Sequence, residues 1–170
     1  AGLSRGLGDV YKRQAYTPYQ AEVAQGRLEA LLNYQTVICD LTGMELSNAS
    51  LLDEGTSAAE AMTMLFANRD REKVNNNCNK FFVADDVFDQ TLDVLMTRAE
   101  PLGIEIVKNS IHKINVDKSF FGSYVQYTGK NGQINDLKTI SKTISNFDIK
   151  LIVAADLLSL TILEKPSLFN

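Results

Sequence analysis

The pattern of apolar and polar residues along the chain predicts helices that alternate with short strands. Apolar runs of about four to six residues predict strands over 81–84, 104–107, 123–127 and 151–155. Longer stretches with apolar residues at helical spacing predict helices over 58–68, 87–99 and 134–147. This alternation is typical of an α/β fold with a largely parallel sheet and flanking helices.

An N-terminal helical arm is predicted ahead of the first strand. Thr17, Pro18 and Gln20 are suited to a helix start, because they provide a cap, a first helical residue and a capping-box partner. Apolar residues then recur at helical spacing over 28–41, and Gly43 is placed to end the helix in a left-handed conformation. The polar segment 69–80 is predicted to be a loop.

Composition narrows the class of protein. The chain has 170 residues, of which 45% are hydrophobic, and a net charge of −4. This length allows one domain with a substantial core, and the acidic balance argues against non-specific binding to nucleic acid. We find no apolar run long enough to predict a membrane-spanning helix. Cys39, expected in the core, and Cys78, expected on the surface, have neither disulfide-scaffold nor zinc-site spacing.

The two ends of the chain suggest a fragment. Residues 1–14 have no helical or strand period, and we interpret them as a cloning or assembly scar or a disordered segment; a native flexible N-terminus is the alternative. The last residues stay apolar, whereas domains usually finish in polar segments. Residues 15–170 are therefore interpreted as part of a larger domain.

The start of the helix near residue 58 is a candidate anion site. Gly55, Thr56 and Ser57 stand where free backbone N–H groups and the helix dipole attract anions. Asp53 and Glu54 directly precede them, and two carboxylates would repel a phosphate. Either these carboxylates cap the helix, or they face a cleft and bind a cationic or polar group supplied by another domain.

Other candidate residues are less specific. Tyr16 and Tyr19 could bind a carboxylate or shield a cofactor ring, or they could pack at an interface. Asp156 follows the last predicted strand, where ligands gather in open α/β sheets, and it either contacts a ligand or caps the next segment. His112, the one histidine, is expected to be structural or superficial. No dinucleotide fingerprint, P-loop or nucleophile elbow occurs in the sequence.

Residues 15–62 resemble a known family. The segments YTPYQ, QGRLEALLN, NASLLDEGT and AAEAM are similar to the pyridoxal-phosphate-dependent glycine dehydrogenase (decarboxylating), the P-protein of the glycine cleavage system. A looser resemblance continues to the end of the chain. It implies a fragment of the N-terminal half of a fold-type I transferase-like enzyme, whose two related halves belong to one chain or to two subunits.

The resemblance also implies a reaction and a site. Glycine is decarboxylated on pyridoxal 5'-phosphate, and the aminomethyl group passes to the lipoyl arm of the H-protein. The cofactor lysine belongs to the other half, so no catalytic residue is expected here. The motifs place Tyr16, Tyr19, Asp53, Glu54 and Thr56 along the cleft: the tyrosines orient the glycine carboxylate or the cofactor, and the acidic pair organises the loop or meets the amine or the lipoyl arm.

Expected partners are the H-protein and the C-terminal half or partner subunit, in a homodimer or heterotetramer, without nucleic acid or membrane. The expected location is the cytoplasm, or the mitochondrion in a eukaryote. Two alternatives stay open at this point: another fold-type I enzyme such as a cysteine desulfurase, and a non-catalytic scaffold half.

Overall fold

Four parallel strands form the centre of the structure, a computed structural model that describes residues 25–169. The strands are β1 (Lys80–Ala84), β2 (Glu105–Asn109), β3 (Phe120–Gln126) and β4 (Lys150–Ala154), and they lie in the order β2-β1-β3-β4. Because every strand runs in the same direction, all the carboxyl ends lie along one edge of the sheet. The prediction of an α/β fold with a parallel sheet is confirmed.

β3 is the most deeply placed strand. It pairs with β1 on one side and with β4 on the other, and all seven of its residues are buried. β4 pairs with β3 alone among residues 25–169, so it is an edge strand, and its apolar residues are only half-buried. The polar side chains of β3 are therefore surrounded by protein, and each of them needs a hydrogen-bond partner.

Five helices surround this sheet within the described range. They are α1 (Gln25–Thr42), α2 (Glu54–Ala67), α3 (Arg71–Asn75), α4 (Asp89–Ala99) and α5 (Leu137–Ser145), with short 3₁₀ segments at Glu100–Leu102, Ile111–Lys113, Ser159–Thr161 and Pro166–Phe169. α2 packs against α4 and also contacts β3 and β4. The helices predicted over 58–68, 87–99 and 134–147 are confirmed, with starts and ends that differ by a few residues.

The core is built on aromatic side chains between α2 and the sheet. Phe121 packs its ring 5.2 Å from Phe66 and 5.3 Å from Phe81, measured between centroids. Arg69 closes this cluster, because its guanidinium lies 3.5 Å from the centroid of Phe66 and donates to the carbonyl of Cys78. Each fully buried side chain of this size stabilises the fold by about 1.5–3 kcal/mol.

The prediction of a loop over 69–80 is wrong. Asp70 accepts a hydrogen bond from the N–H of Lys73 at 2.7 Å and starts α3, and Lys80 already belongs to β1. Cys78 is buried, contrary to prediction, because the chain turns inward there: its Sγ donates to the carbonyl of Lys118 at 3.1 Å. The polar, asparagine-rich composition suggests an exposed loop, but this stretch contains a short helix that Asp70 caps.

Helix α1 ends where the sequence predicts, but its residues are less buried than predicted. Gly43 adopts a φ of 73°, and its N–H donates to the carbonyl of Cys39, as expected for a left-handed helix end. No residue of α1 is fully buried, so the placement of Cys39 in the core is wrong. The helix start at 17–20 lies outside the described residues. Between residues 25 and 169, no helix has the length and hydrophobicity needed to cross a membrane.

The close packing around Gly122 gives a test of this fold. A Cβ at this position would lie 2.9 Å from Cε2 of Phe81 and 3.0 Å from Cδ1 of Leu65. We expect Gly122→Ala to destabilise the complete protein by about 1–3 kcal/mol through overpacking, measured by thermal unfolding. Gly26→Ala on the exposed face of α1 is the matched control and should not destabilise. Equal stability of the two variants would contradict this packing.

Candidate functional site

A cleft of about 890 Å³ opens at the carboxyl ends of β3 and β4, beside the start of α2. We call it the carboxyl-edge cleft. Its polar lining includes Glu54 from α2, Tyr124 and Gln126 from β3, and Asp156 after β4, and its walls are mostly apolar. A parallel sheet places such clefts at this edge, because the connecting segments leave room there.

Asp53 caps the helix that borders the cleft. Its extended backbone, with φ of −157°, turns its side chain toward the first turn of α2, where Oδ1 accepts a hydrogen bond from the N–H of Thr56 at 2.7 Å. The carbonyl of Asp53 accepts from both the N–H and the hydroxyl of Ser57. Hydrogen bonds from the backbone and the side chain of Thr56 lower the pKa of Asp53. The capping interpretation is confirmed for Asp53.

Glu54 has a different environment from its neighbour. It is the first residue of α2, it lines the cleft, and its Oε1 accepts a hydrogen bond from Nε2 of Gln126 at 3.2 Å. Partial burial raises the pKa of Glu54. The acidic pair is therefore divided: Asp53 completes the helix, and Glu54 presents its charge to the cleft.

Gln126 is a site residue that the sequence reasoning missed. Its side chain is 5% exposed, donates to Glu54 and accepts the N–H of Phe88 at 3.3 Å. One signal was present, since an amide in an otherwise apolar strand needs partners when it is buried. Its partners lie 72 and 38 residues away in the sequence, so spacing alone could not identify them.

A buried polar network continues from Gln126 below the cleft. Nδ2 of Asn135 donates to the carbonyl of Gln126 at 2.8 Å and to Oδ2 of Asp86 at 2.7 Å. A Cβ at Gly129 would lie 2.1 Å from the same Asp86 oxygen, so only glycine fits beside it. The network joins the ends of β1 and β3 to the segment before α5 and holds the backbone of Gln126, whose side chain lines the cleft.

Tyr124 is the second polar residue of β3 that lines the cleft. It is 1% exposed, and its hydroxyl has no hydrogen-bond partner among residues 25–169. Burial raises the pKa of Tyr124, and the negative charge of Glu54 raises it further. Tyr124 is not among the site residues predicted from the sequence, because a tyrosine in a strand is usually a core residue.

The other predicted residues have varied positions. Asp156 lies at the cleft, but its oxygens accept the N–H groups of Leu158 and Ser159 at 3.4 and 3.1 Å, so it caps the following segment. His112 is exposed in the segment Ile111–Lys113. Tyr16 and Tyr19 lie outside the described residues, and their place in the site stays a prediction.

Comparison with solved structures defines the class of protein. A crystal structure of glycine decarboxylase (P-protein) of the glycine cleavage system in inhibitor-bound form matches with a TM-score of 0.77 and 29% identity, over 92% of this chain and 35% of that chain. A putative O-acetylhomoserine (thiol)-lyase from Campylobacter jejuni, described with N'-pyridoxyl-lysine-5'-monophosphate, matches in fold alone, with a TM-score of 0.57 and 12% identity over 85% of this chain and 38% of that chain. The architecture is that of the fold-type I pyridoxal-phosphate enzymes.

Sequence comparison then identifies the family. The model of the glycine cleavage system P-protein matches residues 10–170, so the chain belongs to that family. It is 53% identical over 152 residues to a glycine dehydrogenase (decarboxylating) of Flavobacterium johnsoniae and 50% identical over 156 residues to one of Nostoc sp.. These matches cover 89% and 92% of this chain but 16% and 15% of the relatives. The resemblance inferred from residues 15–62 is confirmed, while the boundary at residue 14 stays a prediction.

The described residues do not fit the phosphate of the cofactor that this fold class uses. Asp53 already occupies the N–H of Thr56 at the first turn of α2, and Glu54 adds a second carboxylate beside it. No lysine or arginine in the range 25–169 forms an ion pair with either residue. Two unneutralised carboxylates at this helix start repel an anion rather than bind it.

The cap of α2 predicts a pH-dependent effect on stability. Because the folded state lowers the pKa of Asp53, its contribution is fully present above the unfolded value of 3.8 and is lost as the pH falls through the lower folded value. We expect Asp53→Ala to lower the thermal unfolding temperature of the complete protein at pH 7, with a difference from wild type that narrows below about pH 3.8.

Asp93→Ala is the matched control for this experiment, since Asp93 is an exposed residue of α4 that caps no helix start. It should leave the unfolding temperature nearly unchanged at both pH values. An Asp53→Ala variant as stable as wild type at pH 7 would contradict the role of the cap.

Proposed function

We propose that the complete protein decarboxylates glycine and transfers the remaining aminomethyl group to the lipoyl arm of the H-protein. Membership of the P-protein family supports this reaction. Sequence identity of about one half to the glycine dehydrogenases favours it over the alternative of a cysteine desulfurase. In this proposal, the fragment lacks the cofactor lysine and is inactive on its own.

One observation supports placing the cofactor in another part of the complete protein: the N–H of Thr56 donates a hydrogen bond to Asp53. A half whose own carboxylate occupies this position leaves no anion site there for a phosphate. We therefore assign pyridoxal 5'-phosphate to the C-terminal half or to a partner subunit, within a homodimer or a heterotetramer. Bound there, the cofactor would supply the electron sink that decarboxylation of glycine requires.

The residues of this chain contribute a wall of the reaction cleft. Asp53 and Thr56 hold the start of α2, and Glu54 presents a negative charge that could meet an amine or the lipoyl arm. Tyr16 and Tyr19 orient the glycine carboxylate or the cofactor ring. The proposed location is the cytoplasm, or the mitochondrion in a eukaryote, with no nucleic acid or membrane as a partner.

The location of the cofactor lysine tests the assignment of the cofactor to the C-terminal half or to a partner subunit. We expect borohydride reduction of the complete holoenzyme, followed by peptide mapping, to place the pyridoxyl group on a lysine outside residues 1–170. The chain has 11 lysines that could carry the group, so a negative result within it is informative. A pyridoxyl group on any lysine of this segment would overturn the assignment.

The tyrosines provide a test of the cleft itself. Removing a hydroxyl that binds a charged carboxylate costs about 1.5–3 kcal/mol, so Tyr16→Phe and Tyr19→Phe should each slow glycine-dependent bicarbonate exchange by roughly tenfold or more. Tyr34→Phe, on the exposed surface of α1, should exchange at the wild-type rate. Wild-type rates for both cleft variants would make Tyr16 and Tyr19 packing residues.

A further inference from the structure

We infer that the carboxyl-edge cleft binds a small organic ammonium compound, which Glu54 and Tyr124 hold between them. The inference goes beyond the proposed reaction, in which Glu54 could meet an amine or the lipoyl arm, because it adds Tyr124 and names the class of ligand; it does not require that the complete protein decarboxylates glycine. Glu54 provides the negative charge, and Tyr124 provides a hydroxyl that no atom of residues 25–169 satisfies.

Glu54 is held in position for this role. Gln126 donates to its Oε1, and Gln126 is itself fixed by the N–H of Phe88 and by Asn135. Within residues 25–169, Oε2 of Glu54 accepts no hydrogen bond, and no lysine or arginine pairs with the carboxylate. A carboxylate that is partly removed from water and anchored through one oxygen favours a cationic donor at the other.

Tyr124 is the independent observation. It projects from the same face of β3 as Gln126, two residues away, and both side chains line the cleft. Its hydroxyl is buried and unpartnered in the described part of the chain, an arrangement that costs free energy unless a ligand supplies the missing bond. Both residues line the same cleft, and burial together with the charge of Glu54 raises the pKa of Tyr124.

The chemistry of the lining selects the class of ligand. An ammonium group carries three N–H donors, so one group can donate both to Glu54 and to the oxygen of Tyr124. Glu54 and Asp156 repel anions, and no lysine or arginine of the described range 25–169 lines the cleft. Apolar side chains suit a short hydrocarbon body beside the charged group; they are Ala58, Ala61, Phe88, Ile152 and Val153.

The test uses n-butylammonium as the probe and the complete holoenzyme with its cofactor reduced onto its lysine by borohydride. Reduction saturates the carbon–nitrogen bond between the cofactor and its lysine, so the probe cannot displace the lysine and the catalytic site stays filled. We expect saturable binding by isothermal titration calorimetry and none with 1-butanol, which lacks the charge. Because turnover is not measured, failure of this site and failure of the proposed reaction are distinguishable.

Substitutions then locate the binding. Glu54→Gln should raise the dissociation constant at least tenfold, and Tyr124→Phe should raise it by about threefold to tenfold. Glu60→Gln, on the same helix but paired with Arg98 outside the cleft, is the matched control and should bind as wild type does. Tyr124→Phe removes an unpaired buried hydroxyl, so it should fold normally, which thermal unfolding verifies.

Three results would overturn the inference. One is the absence of saturable binding to the wild-type protein, which would mean that other parts of the complete protein fill the cleft. The second is equal affinity for n-butylammonium and 1-butanol. The third is unchanged binding in both the Glu54→Gln and Tyr124→Phe variants, which would place the probe elsewhere.

Discussion

The hydrogen bond from the N–H of Thr56 to Asp53 is the interaction on which the site depends. The first turn of a helix offers unpaired N–H groups that donate hydrogen bonds either to a side-chain oxygen of the protein or to an external anion. Here the protein supplies the acceptor. The hydrogen bond to Asp53 starts α2 at Glu54, whose carboxylate faces the cleft. It also occupies the N–H group that a phosphate would need.

Buried polar contacts position the residues that β3 contributes to the cleft. β3 carries Tyr124 and Gln126 into a region where every residue of the strand is buried, and Gln126 connects Glu54 to the Asn135–Asp86 pair. Oδ1 of Asp86 has no partner among residues 25–169, so the network fixes geometry more than it adds stability. The fold retains this specificity at an edge of the sheet where ligands commonly bind.

The sequence predicts the elements well and their long-range contacts poorly. Strands 81–84 and 151–155 are confirmed because each is a short apolar run, and Gly43 ends α1 because glycine adopts positive φ without strain. The burial of Cys78 and the role of Gln126 depend on partners 38 or more residues away, which no local period encodes. The placement of Tyr16 and Tyr19 along the cleft rests on family motifs and stays a prediction.

The edge strand β4 has a consequence for how the polypeptide behaves before it is fully assembled. One side of β4 lacks a partner among residues 25–169, and its apolar residues are half-buried while Lys150 at its start is exposed. An uncovered parallel edge of this kind is a template for intermolecular pairing, which the charge of Lys150 opposes only at one end. Nascent or truncated chains that expose the rest of the edge are therefore prone to aggregate.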